Sequence, residues 1–473
     1  MAHDLSPSEP LSTATSPGDA GYDVAIVGGG AAGALVAIRL LMRDRPPPRI
    51  AVIEPDAQLA RGAAYSTGRP EHLLNVIASR MSAITEDPGH FVRFLAADGQ
   101  VPGEALDASF ARRRDYGRYL RHTLDSLPGR DALEHVRERA VDVERGDEGF
   151  VVHLASGARL HAGHVVLAIG NAPRSLPAFL RHPGARIAEA WDYDAVAGID
   201  TDAGVCILGS GLSMVDAALS LAQAGHRGRI HVLSRHGLVP LPHADAGSQH
   251  GDGADDLLPL GMRERWRRVR QRVEAAVASG EPWQWSFDRL RHHGEAMWRS
   301  LGEGERRRFL RHAVRYWDIH RHRIAPQAAA TLAGLQAAGQ LVVIPGRLRS
   351  IAADPAGGSR LHYRPRHAAH DRTLHADWIV NATGVETSIE LRPGELLQAL
   401  RARGLVLPGP LGLGVASEGI GHVLDGRGRP DPRLFVLGAL RIGDLWESIA
   451  IPELRAQAQR IADAIPDAGP IAC

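Results

Sequence analysis

The residues Gly28-Gly29-Gly30-Ala31-Ala32-Gly33 have the spacing G-x-G-x-x-G. Glu54 follows about twenty residues further on, where a dinucleotide fingerprint places its acid. In such a fingerprint Gly28 permits a tight turn, Gly30 lets backbone approach a pyrophosphate, and Gly33 lets helix and strand pack closely. A helix opening here offers unpaired N–H groups and partial positive charge to phosphate. Glu54 can accept both ribose hydroxyls and would repel a 2′-phosphate. Gly28, Gly30, Gly33 and Glu54 therefore read as a dinucleotide site for a cofactor without a 2′-phosphate, such as FAD.

A degenerate second copy is Gly209-Ser210-Gly211-Leu212-Ser213-Met214, with methionine in place of the third glycine. Its following strand ends in Ser234-Arg235-His236, without an acid. A hydroxyl, a guanidinium and an imidazole suit a 2′-phosphate. The expectation is NADPH over NADH, held by Gly209, Gly211, Ser213, Ser234 and Arg235. A third signal, Asp377 to Gly384, delivers a strand into Ala382-Thr383-Gly384. Small residues there let backbone pass between two nucleotides, which marks Thr383 and Gly384. The fourth, Leu437-Gly438-Ala439 followed by Ile442 to Ser448, is a strand, a glycine turn and a helix start. That anion-friendly end places Gly438 and Asp444 against the flavin's pyrimidine edge.

The elements needed to position these residues follow from apolar patterning. A strand at 22–27, a helix at 31–43 and a strand at 49–54 make an opening β-α-β unit. A second unit reads as strand 204–208, helix 212–224 and strand 228–234. Between them lie a hairpin, 149–154 with 158–161, and a buried strand at 164–169. Residues 257–337 carry long helical patterns rich in Arg, Trp, Ala and Leu, and read as a helical insertion. Strands return at 341–344, 377–381 and 434–437, and residues 448–465 form a last helix. The fold class is α/β, with two Rossmann-like dinucleotide-binding domains. An FAD domain is expected over 21–200 and 376–473, and a NAD(P) domain over 201–375.

The 473 residues include 55 basic and 54 acidic side chains, so the net charge favours neither nucleic acid nor an anionic membrane. All basic residues are arginine. Lysine general bases and Schiff bases are therefore excluded, and substrate anions must meet Arg, His or backbone N–H groups. With two cysteines, Cys206 and Cys473, no CxxC redox pair is possible. Residues 1–20 read as a disordered leader with no signal-peptide core. No apolar run is long enough to span a membrane. The expectation is a cytoplasmic enzyme, and a homodimer is compatible with it.

Taken in order, these signals resemble the two-dinucleotide-binding flavoproteins that include class B flavin monooxygenases. Gly62-Ala63-Ala64-Tyr65-Ser66, His72 to Val76, Arg80-Met81-Ser82 and Glu447 to Arg455 narrow the match. With them the chain resembles a bacterial FAD/NAD(P)-binding family that includes an FAD-dependent urate hydroxylase and an aspartate N-hydroxylase. The resemblance adds Asn75 and Met81 to the cofactor residues. Two positions depart from it. Class B enzymes carry a histidine before an aromatic residue where this chain reads Arg186 to Trp191, and an aromatic residue where it has Val385.

The resemblance implies that NAD(P)H reduces the flavin, which adds O2 at C4a and passes one oxygen to a small-molecule substrate. Urate, a planar anion oxidised to 5-hydroxyisourate in purine degradation, is the leading expectation. An amino-acid N-hydroxylase and a non-oxygenating NAD(P)H-flavin oxidoreductase are the alternatives. Arg80, Arg441 and Trp446 are the expected substrate residues, with Arg174, Arg315 and Trp317 as further candidates. No metal site is expected.

Overall fold

The structure is a computed structural model and describes residues 21–99, 106–244, 253–355 and 357–466. The expected leader and Cys473 lie outside them. The first sheet contains β1 (Gly21–Val27), β2 (Ile50–Ile53), β3 (Leu133–Val136), β4 (Ala140–Arg145), β5 (Phe150–Leu154) and β6 (Arg159–Leu167). It is completed from the chain's end by β14 (Ser417–Glu418), β15 (His422–Leu424) and β16 (Pro430–Val436). The order is β14-β15-β16-β6-β1-β2-β3, with β4 and β5 as a side branch.

The near-continuous apolar run in β1 reflects burial on both faces. On one face pack the helices Ala31–Leu41, Arg113–Asp125 and Ile451–Ala464 through Leu35, Ile38, Tyr116, Leu120 and Ile461. On the other lie Val143, Val152, Leu397 and Leu400. Two segments expected to be separate are one strand, β6. One edge of β6 is covered first by β5 (Phe150↔Ala162) and then by β16 (Leu434↔Val165), while β1 runs along the other (Ala25↔Val165). The chain thus passes from hairpin to parallel sheet without a break.

The second sheet contains β7 (Ile187–Glu189), β8 (Val205–Leu208), β9 (Ile230–Ser234), β10 (Leu341–Ala353), β11 (Ser359–Pro365), β12 (Arg372–Ala376) and β13 (Trp378–Asn381). Its order is β12-β11-β10-β9-β8-β13-β7. β7 and β13 fall on the FAD side of the boundaries expected from sequence, yet both belong to this sheet: Val380 pairs with Ala188 and with Ile207.

The helices from Met262 to Arg321 share a core of Leu257, Val269, Phe287, Leu290, Trp298, Phe309 and Trp317. The helix Pro326–Ala337 does not belong to that insertion. It buries Ala328 and Leu332 in the second sheet's core and leads into β10, so it is the crossover between β9 and β10.

Two chain crossings join the sheets, one after β6 and one after β13. They lie antiparallel through a bridge between Pro173 and Val385. Arg174 N donates to Gly384 O at 2.9 Å, and Glu386 N to Ala172 O at 2.9 Å. Beside them, Arg113 Nη1 meets Asp216 Oδ2 at 2.7 Å across the domain contact, with both side chains largely buried. His72, wholly buried, contacts Thr67 Oγ1 through Nδ1, and Ser220 Oγ and Asp216 O through Nε2. Burial holds its imidazole below the ordinary value.

Candidate nucleotide and flavin site

The first glycine motif sits between β1 and the helix Ala31–Leu41. Gly28 adopts φ +105°, and a Cβ there would lie 2.4 Å from Ala168 O. Glu54 Oε2 accepts from Gly29 N at 2.8 Å, and Oε1 from Asp56 N at 3.2 Å. The carboxylate is thereby fixed at the end of β2 with acceptor capacity left for ribose hydroxyls. The helix has no side-chain cap and no acid in its first turn, so its N-terminal N–H groups remain available to a pyrophosphate. This cradle fits the adenine dinucleotide half of FAD.

The second motif repeats the arrangement. Gly209 adopts φ +108°, and a Cβ there would meet Ala382 O at 2.2 Å. Met214, in place of the third glycine, is fully buried in the second domain's core. Ser213 Oγ accepts from Trp191 Nε1 at 3.1 Å. Ser234 Oγ accepts from Ser210 Oγ and from Gly237 N, closing the loop after β9. Thr383 Oγ1 donates to Asn381 Oδ1 at 2.8 Å, and Asn381 Nδ2 donates to Arg174 O and to the Glu189 carboxylate.

Around Arg235 the fold gathers cations that sequence reading left scattered. Partial burial, then the positive fields of Arg315, Arg174 and Arg347, hold its guanidinium below the ordinary value. His236 lies in the fields of Arg366, Arg235 and Arg315, and is pushed down by burial first. Arg315 and Arg174, expected near the substrate, stand instead around Arg235, and each also faces a carboxylate, Asp318 and Glu386 respectively. Five separate stretches, at 174, 235–236, 315, 347 and 366, supply these cations, so no local motif could have revealed the group.

Near the flavin-side segment Asn75 to Met81 the geometry is different. Asn75 and Leu212 line one narrow cleft between the domains, so the second motif's helix begins against the first domain. Met81 is packed in the first core, so only its backbone is placed to serve a cofactor. Arg80 is half-buried in the fields of Asp288, Arg291 and Arg321. Two ion pairs stand beside it: Arg291 with Glu453, both N–O distances 3.1 Å, and Arg321 with Glu447 at 2.7 and 2.9 Å. Arg323 pairs with Asp288. The insertion and the start of the last helix thus meet at Arg80.

Arg441 does not fit the substrate role expected from sequence. Its side chain is wholly buried and donates to Ser417 Oγ, Ile420 O and Gly419 O. It ties the turn after β16 to the turn between β14 and β15. Asp444 is likewise turned inward, accepting from Ser417 N and Oγ rather than facing a cofactor. Gly438 lies at φ +70° and its N–H is taken by Gln457 Oε1 at 3.0 Å. Trp446 stacks on Trp298 with centroids 4.9 Å apart, and Phe309 meets it edge-on at 5.2 Å. Trp317 lines the same aromatic group and donates from Nε1 to Glu447 Oε1 at 3.2 Å.

His243 Nε2 lies 3.0 Å from Asn75 O, which fixes it as the donor. Burial first, then the field of Arg323, pushes its pKa down to about 4. The unfolded chain binds this proton near pH 6.5, so the folded state loses relative stability as pH falls from there to about 4. We expect denaturation midpoints in urea to drop across that window. The His243→Phe variant should show a shallower drop, and an unchanged slope would remove His243 from the acid limb.

Residues 25–172 match a family described as FAD-NAD(P)-binding. A comparison with curated proteins finds no match. Among solved structures, an ornithine N-hydroxylase of Kutzneria sp. 744 is similar with TM-score 0.66 and 15% identity, over 94% of this chain and 99% of that one. L-lysine 6-monooxygenase from Pseudomonas syringae gives 0.64 and 18%, over 94% and 99%. Bacillithiol disulfide reductase from Bacillus cereus gives 0.55 and 16%, over 94% and 99%. The chain has the fold of a two-dinucleotide-binding flavoprotein. Within this flavoprotein fold, Cys206 lies fully buried in β8, its thiol pushed up to about 12 by burial, so it is inert as a nucleophile. No helix among the described residues is long and apolar enough to cross a membrane.

Proposed function

We propose that the protein is an FAD-dependent, NADPH-oxidising monooxygenase that hydroxylates an amine nitrogen. The observation that carries this reading is the meeting of Asn75 and Leu212 in one cleft, across which a coenzyme on the second motif would face a flavin on the first. FAD, when bound, would take hydride from NADPH and activate O2. Overall, R–NH2, O2, NADPH and H+ give R–NHOH, water and NADP+.

The fold is shared with an ornithine N-hydroxylase, a cadaverine monooxygenase and an L-lysine 6-monooxygenase, which supports oxygen transfer to nitrogen. A disulfide-reductase reading finds no reactive thiol among the described residues, where Cys206 is buried. Urate fits less well than the sequence reading supposed. Arg441 is consumed by backbone carbonyls, and Arg174 and Arg315 stand around Arg235. Of the expected clamps, Arg80 alone stays near the flavin-side segment.

This chain's residues divide the work. Gly28, Gly30 and Glu54 would hold the adenine dinucleotide of FAD. Gly209, Gly211 and the cation group around Arg235 would hold NADPH. Arg80, flanked by the Glu447–Arg321 and Glu453–Arg291 pairs, keeps positive charge beside the flavin-side segment. Anaerobic mixing with NADPH should bleach the flavin, and under air an amine should give a hydroxylamine matched to oxygen consumed. A flavin that NADPH leaves oxidised would overturn the reading.

Arg235→Ala should raise the NADPH KM far more than the NADH KM. One lost charge-assisted contact is worth roughly 1.5–3 kcal/mol, or about 10- to 150-fold. Equal losses for the two coenzymes would show that Arg235 does not meet the 2′-phosphate.

A further inference from the structure

The helical insertion contains a partly open apolar pocket of about 70 Å3. Leu257, Met262, Trp266, Trp298, Phe309 and Trp446 form much of its wall. Trp446 closes it with φ +63° and ψ −62°, left-handed backbone that a bulky residue seldom adopts. The stack on Trp298 holds that conformation, and Trp298 Nε1 in turn donates to Gly443 O at 2.8 Å. Flat aromatic faces in this arrangement suit a flat apolar guest.

The charged groups in and beside the wall are already engaged. Arg265 gives its donors to Leu260 O, Met297 O, Leu258 O and Ser300 Oγ. Glu447, which abuts Gly294 of the wall, is held by Arg321 and Trp317. A charged group seated in the pocket would find no unshared counter-ion, and burying it there is strongly unfavourable. The buried Trp266 Nε1, without a protein partner, is left for a neutral acceptor.

One wall of the pocket adjoins the group around Arg80. Glu447 follows Trp446 directly and reaches through Arg321 to the group around Arg80. An amine whose body lies in the pocket would have its nitrogen directed to the flavin-side segment.

Resting on the monooxygenase reading above, we propose that this pocket takes the aryl or alkyl body of the substrate. The enzyme would then act on apolar primary amines rather than on diamines, amino acids with a second charge, or urate.

The test uses the holoenzyme with tryptamine and phenethylamine, and with ornithine, cadaverine and urate as contrasts. Four of the eight tryptophans line the pocket, so intrinsic fluorescence reports binding without requiring turnover. Phenethylamine, which does not absorb where tryptophan is selectively excited, should quench fluorescence, and tryptamine should couple NADPH oxidation to hydroxylamine. Met297 also lines the pocket, so Met297→Trp fills it and should weaken tryptamine about ten- to a hundredfold, with NADPH reduction of the flavin unchanged. Met297→Ala, which enlarges the space, should bind tryptamine and guard against a folding artefact. The proposal is overturned if neither arylamine binds at millimolar concentration, if Met297→Trp binds tryptamine as the parent does, or if ornithine or urate is the coupled substrate. Met297-dependent tryptamine binding in a protein whose flavin NADPH cannot reduce would support the pocket and overturn the monooxygenase reading.

Discussion

Gly28→Ala is expected to purify almost colourless. The left-handed backbone at Gly28, φ +105°, costs a residue bearing Cβ about 1–3 kcal/mol. The new methyl would also stand 2.4 Å from Ala168 O, a backbone atom that cannot swing aside. The turn must open, and the pyrophosphate loses its aligned N–H groups. The ratio of flavin to protein absorbance checks this, and full flavin occupancy would refute the cradle. Gly211→Ala is the informative contrast. It has no protein atom within 4 Å of the added Cβ, so the fold and the flavin should survive. The methyl instead enters the space assigned to the coenzyme. Its effect should appear as a raised NADPH KM with the yellow colour intact.

Removing Arg113 should be the most costly change outside the cofactor sites. Its guanidinium and the Asp216 carboxylate face each other across the domain contact, 16% and 8% exposed. Breaking a buried pair from one side strands the other charge and typically costs about 3–5 kcal/mol. Arg113→Ala should therefore lower the thermal midpoint of the holoenzyme sharply. The double variant Arg113→Met, Asp216→Leu should recover most of the loss, because neither charge is left stranded. If the single and double variants fall equally, the loss comes from packing rather than charge.

The glycine motifs were legible because their requirements are local. A turn at φ > 0 and a helix starting within six residues leave marks in adjacent positions. The strands that carry the motifs were legible for the same reason, being short apolar runs buried on both faces. β7 was missed because three residues, Ile187 to Glu189, owe their strand geometry to β13, nearly two hundred positions away (residues 187 and 379 pair). Arg441 was misplaced because an arginine in a polar loop reads alike whether it reaches for a ligand or folds back on carbonyls. The coenzyme's cation group and the Glu447–Arg321 pair are products of tertiary assembly. Their members carry no shared spacing from which they could be drawn together.

The first glycines of the two motifs share one further property. Gly28 packs on the carbonyl of Ala168 and Gly209 on that of Ala382. Each of those carbonyls lies at the base of one of the two interdomain crossings, just before the antiparallel segment bridged at Pro173 and Val385. Arg392 adds a clamp by donating to Ile169 O and Gly170 O. The connection between the domains is therefore a lever seated on both phosphate turns at once. A pair of crossings side by side bends about one line and resists twisting. Any tilt of one domain must press on the backbone beneath both nucleotides together. Loading of the first nucleotide would then stiffen the seat of the second, which couples the two occupancies mechanically without any contact between the ligands.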